Sequence, residues 1–135
     1  DYDTVGAVFD DLIGDDGPCY VARNVPDFER GRELLEDACA FVGLAHPLRY
    51  DDPEAALELT ADLDAVERYY PYDRPVSPDD ADALDPRPVE AAIAEHDLLA
   101  AGGTDAHETD LAVDGLPRGA WERVRERLPE PVEVA

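Results

Sequence analysis

The sequence predicts an α/β fold built on a parallel sheet. Helical and strand-like apolar patterns alternate along the chain, the order expected of β/α crossover units. The 135 residues favour one domain or a piece of one, and 44% of them are hydrophobic, enough to build a core. No internal repeat and no low-complexity segment interrupts the pattern.

The elements follow in order. Val5, Val8, Phe9, Leu12 and Ile13 recur at helical spacing and predict a helix over 4–13, ended by the turn Gly14-Asp15-Asp16-Gly17-Pro18. Cys19 to Ala22 reads as a short extended run. Pro26 opens a second helix, with Asp27 and Glu29 in its first turn and Phe28, Leu34, Leu35 and Ala38 as its apolar face. Phe41 to Ala45 reads as a buried strand, and His46 to Tyr50 leaves it as a loop. Asp52 and Pro53 predict an N-cap and first residue of a helix running to about Asp62. A second strand falls within 63–70. The Pro- and Asp-rich stretch 70–85 predicts a loop, with room for a short helix from Ser77. Val89 to His96 is helical and Leu98 to Ala101 a third strand. Trp121, Val124 and Leu128 stand at i, i+3 and i+7 in a final helix over 117–128, and residues 129–135 form a tail.

Charge narrows the function classes. Asp and Glu number 34 against 11 basic residues, all of them Arg, for a net charge of −23. Spread along the chain, this acidity reads as a halophile's surface; the alternative is an acidic disordered chain, which the clear apolar periodicity opposes. The net negative charge opposes broad contact with nucleic acid or a membrane surface, while leaving room for a small anion held locally by Arg and metal. No run approaches the roughly 20 apolar residues that span a bilayer. The chain begins at Asp1 rather than Met and carries no charged-then-apolar leader, which leads us to expect a piece of a longer chain or a processed product. Cys19 and Cys39 lack Cys-x-x-Cys spacing, so neither reads as a metal knuckle. Cys39, in an apolar stretch, is expected to be a buried thiol, and a reducing, cytoplasmic location fits.

Two places carry chemistry. His46 directly follows the first strand, and Asp105-Ala106-His107 directly follows the third. Functional groups in α/β folds gather beyond the carboxyl ends of strands, and imidazole with carboxylate suits Zn, Mn or Fe. Against this, a lone histidine after a strand is commonly only a loop residue, and Asp-x-His alone is a weak signal. His96, between Glu95 and Asp97, reads as a surface histidine.

Leu44-Ala45-His46-Pro47-Leu48-Arg49-Tyr50, then Asp64-Ala65-Val66-Glu67-Arg68-Tyr69-Tyr70-Pro71, then Gly102-Gly103-Thr104-Asp105-Ala106-His107 resemble, in order, successive motifs of the PHP (polymerase and histidinol phosphatase) superfamily, nearest its TrpH-like phosphoesterases. The resemblance spans most of residues 4–110. It implies that residues 1–128 are the C-terminal portion of a distorted (β/α)7 barrel, lacking its first strands. It also implies divalent metals (Mn, Zn or Fe) held by His46, Asp105 and His107, with Arg49 on a phosphate. Arg49 read without the resemblance could equally pair with Asp51 or Asp52. Glu67 is expected to support the site or the fold rather than bind metal, and Tyr50 and Tyr69 either line the pocket or pack.

The implied function is part of a metal-dependent phosphoesterase acting on phosphate esters, of nucleotide type (a 3′,5′-bisphosphate or short oligonucleotide). The family's His-x-His and its further Asp, Glu and His ligands have no counterpart here, and Thr104 stands where Ser is usual. An N-terminal half is therefore expected to supply the missing ligands. The alternative is a non-catalytic binding or assembly domain derived from the same fold.

At molar salt the Debye length falls to about 3 Å, so self-repulsion is screened; in dilute buffer it opposes the compact state. Far-UV circular dichroism should record loss of structure below a few hundred millimolar salt.

Overall fold

A computed structural model describes residues 2–14, 17–106 and 115–128. The chain divides into two compact units, residues 1–31 and 32–135. In the first, Thr4 caps helix α1 (Val5–Val8) by accepting the Ala7 N–H at 3.1 Å. The predicted helix loosens halfway, because Phe9–Ile13 continues as a π-turn. Gly14 closes it by donating to the Phe9 carbonyl at 2.6 Å. No strand forms at Cys19 to Ala22. Helix α2 (Phe28–Glu36), which runs through the boundary at residue 31, starts where Asp27 accepts the Arg30 N–H. Its expected apolar face is not buried, Leu34 and Leu35 being about half exposed.

The second unit is of the α/β class and mixes helices with a three-stranded parallel sheet, β1 (Gly43–Leu44), β2 (Ala65–Tyr69) and β3 (Leu99–Gly102), in that spatial order. The first strand is shorter than Phe41 to Ala45 would allow. Asp64 takes over at its start, its carboxylate accepting the Val42 N–H at 2.9 Å while its own N–H donates to the Val42 carbonyl. Gly43 lets β1 approach β2, since a Cβ there would lie 2.9 Å from that of Ala65. Helix α3 (Pro53–Glu58), capped by Asp52, tightens into a 3₁₀ turn over Leu59–Asp62 and returns the chain to β2. Helix α4 (Arg87–His96) returns it to β3, and α5 (Arg118–Arg127) follows. No helix forms from Ser77; that loop is instead pinched by a bridge between Val76 and Leu84.

Alternation along β2 sorts the core into two layers. Val66 packs with Leu57 of α3, Val89 and Ala92 of α4, and Leu98. Ala65 faces the other way and packs with Leu99 and with Val124 of α5. Helices α3 and α4 thus cover one face and α5 the other. Of the final helix's apolar positions only Val124 is buried; Trp121 and Leu128 are exposed. Cys39 is exposed as well, contrary to the buried thiol expected: the chain turns after α2, and it is Phe41, Val42 and Leu44 of this stretch that are buried or pack against the core. No helix among the described residues is long and apolar enough to cross a membrane.

Leu98 is 1% exposed, at the junction of α4, β2 and β3. Leu98→Ala should cost about 2–5 kcal/mol, read as a lowered urea midpoint in molar salt, whereas Trp121→Ala should barely move it.

Candidate functional site

The parallel strands direct their carboxyl ends to one edge, and three loops leave there. After β1 the chain turns at His46, which takes the left-handed conformation (φ 31°, ψ 59°) before the 3₁₀ turn Pro47–Arg49. After β2 come Tyr70 and Pro71. After β3, which ends at Gly102, Gly103 and Thr104 lead to Asp105, also left-handed at φ 48°. Positive φ at a non-glycine residue is disfavoured, so two of the three loops carry backbone strain at a candidate site residue.

His46, Arg49, Tyr50 and Asp105 line one cleft of about 480 Å³. The sequence had named all four, and the first and third strands deliver them together. The Arg49 guanidinium donates to the Tyr70 hydroxyl at 2.7 Å and to Asp105 Oδ2 at 3.3 Å. The Tyr70 hydroxyl in turn donates to the same Oδ2 at 2.6 Å. Arg49 therefore crosses the site to Asp105, while Asp52, one of its two alternative partners, caps α3 through the Ala55 N–H.

The imidazole of His46 sits in an aromatic setting. The Tyr70 ring meets it edge-on at 5.4 Å between centroids, and Tyr50 lies at 6.1 Å. Its Nδ1 is buried with no hydrogen-bond partner among the described residues. An unmet buried polar atom costs about 1–3 kcal/mol, so this nitrogen is poised for a partner. Glu67 accepts the His46 backbone N–H at 2.7 Å, a supporting contact from β2.

The phenol of Tyr70 has its pKa raised, first by its hydrogen bond to Asp105 and next by burial, with Arg49 pulling the other way. It stays a protonated donor well into alkaline solution. The bond to the Tyr70 oxygen raises the pKa of Arg49 in turn, with Asp105 adding to it. Burial, foremost, raises that of Tyr72, whose hydroxyl accepts the Leu48 N–H.

Tyr70 is the site residue that the sequence reading passed over in favour of Tyr69. The Tyr69 ring lies under the Arg68 guanidinium, 5.6 Å away. A register shift between Glu67 and Tyr69 breaks the strand's two-residue alternation. Only the Pro71 that ends the strand hints from sequence that Tyr70 belongs to the loop.

His107 lies outside the described residues, as does the 129–135 tail. Among the described residues no three His, Cys, Asp or Glu side chains are grouped to hold a metal. No family model, curated protein or solved structure matches the chain.

Tyr70→Phe keeps the ring against His46 and Tyr72 and removes only the hydroxyl. It should free the Arg49 side chain, seen as faster ¹⁵Nε relaxation, and leave the thermal midpoint nearly unchanged.

Proposed function

We propose that this chain is part of a metal-dependent phosphoesterase, contributing His46, Asp105 and His107 as ligands and Arg49 as a phosphate contact. One observation carries the proposal. His46, Arg49 and Asp105 come from two loops 56 residues apart in sequence, yet line one cleft beyond the carboxyl ends of parallel strands.

The donor set fits a divalent cation of the Mn, Zn or Fe kind. It offers imidazole and carboxylate, and a buried imidazole nitrogen lacks a partner. The described residues hold too few ligands for a closed site, so His107 and an N-terminal half completing the centre are part of the proposal. Bound cations would lower the pKa of a water and offset charge on the phosphate. Arg49 would exchange Asp105 and Tyr70 for phosphate oxygens, which its planar fork suits. The exposed Tyr50 ring at the cleft offers a stacking face for a nucleotide base. The substrate class proposed is accordingly a small phosphorylated nucleotide.

The PHP barrel belongs to the same proposal. β1, α3, β2, α4 and β3 make consecutive β/α units with their crossovers on one face. Helix α5 covers the face that would line the lumen, so barrel closure requires it to move or to be enclosed. A second reading, a non-catalytic binding or assembly domain, is favoured by the closed Arg49–Tyr70–Asp105 network, in which the carboxylate is already neutralised by protein groups.

Elemental analysis of the chain, and of a longer form with upstream sequence, separates the two. Stoichiometric Mn, Zn or Fe and hydrolysis of nucleoside bisphosphates by the longer form are expected. His46→Ala and His107→Ala should each reduce activity by more than the roughly 10–100-fold that loss of an outer-shell partner costs. Bound metal and turnover unchanged in these variants would reject the ligand assignment, and metal-free, inactive protein would leave the assembly reading.

A further inference from the structure

Glu67 is no member of the proposed ligand set, yet both of its carboxylate oxygens meet a site loop. Oε2 accepts the His46 N–H at 2.7 Å. Oε1 fills the space beside Gly103, where a Cβ would come within 2.6 Å of it. The next nearest atom to that Cβ is Glu67 Cδ at 3.8 Å, so among the described residues this carboxylate alone opposes a side chain there. Gly103 does not have a positive φ, so its backbone would accept alanine. Gly102 is different: a Cβ there would press on the Tyr69 carbonyl at 2.7 Å and on Leu116, a clash with the fold itself.

A glutamate tip can ordinarily swing clear of a methyl group. Here the other oxygen of the same carboxylate accepts the His46 N–H, so swinging clear of a methyl at 103 pulls against that bond. We propose that Glu67 is a positioning residue that braces the His46 loop and the Gly103–Asp105 loop as one unit, and that residue 103 is glycine to admit it. The brace holds His46 in its left-handed conformation and sets that loop against the turn leading to Asp105. The contacts stand on their own; their value for catalysis rests on the phosphoesterase reading.

The test reads the His46 amide in the ¹⁵N-labelled chain at molar salt, without metal or substrate. A short bond to a carboxylate should place this proton downfield and slow its exchange. Gly103→Ala should move it upfield and speed exchange about tenfold, the effect of one lost hydrogen bond, while the Val66 and Leu98 amides stay in place. Glu67→Ala should produce the same shift, and adding Gly103→Ala to it should change nothing more. Glu67→Gln, which keeps the side chain's size and loses its charge, should give a smaller upfield shift. An unmoved His46 amide in Gly103→Ala or in Glu67→Gln, or additive shifts in the double variant, would overturn the brace. Failure to find metal or turnover leaves this result untouched, so the two proposals fall separately.

Discussion

Everything at the candidate site depends on burial of the central strand from both sides. Ala65 and Val66 are consecutive, 1% and 0% exposed, and face opposite layers. A strand covered on both faces must exclude charge over its buried length, and β2 does so for only two residues before Glu67 and Arg68 emerge. That abrupt change from core to polar chain sets the height of the sheet's carboxyl edge. The parallel pairing then brings the ends of β1 and β3 to the same edge, because register fixes Leu44 beside Val66 and Ala101 beside Glu67. The loops meet because the strands are aligned, and long-range hydrogen bonds between the loops then fix their arrangement.

Within that edge, small residues do most of the spatial work. Gly43 brings two strands close, Gly102 lets the third loop turn across the Tyr69 carbonyl, and Gly103 leaves space for a carboxylate. Polar side chains then span the gaps. Arg49 and Tyr70 span one side to Asp105, and Glu67 supports His46 from the sheet. The cleft is therefore organised by hydrogen bonds between loops that begin on a rigid sheet, an arrangement able to keep candidate ligands in place before any ligand binds.

The second unit was largely legible in the sequence because its signals are local. Asp52-Pro53 at a helix start, Val89 to His96 at helical period, and Gly-Gly after an apolar run each state their structure within a few residues. The placement of His46 and Asp105 at one edge was legible from the position of each after a strand, whereas Arg49 was singled out only by the family resemblance. Other features depend on partners distant in sequence and left no local trace. The shortness of β1 depends on Asp64 engaging Val42, and the entry of Tyr70 into the site depends on a bulge. The exposure of Leu34, Leu35 and Cys39 shows that apolar spacing identifies a face without identifying what packs on it.

Asp97, left-handed at φ 49° just past α4, holds Arg123 and Arg127 of α5, each at 3.1 Å. The carboxylate is 80% exposed, so ions in solution compete directly with the pair of arginines. A salt that strengthens apolar burial elsewhere weakens this clasp. In strong brine α5 is left to the grip of Val124 and its neighbours. The C-terminal helix thus joins an apolar grip that salt strengthens to a charged clasp that salt weakens.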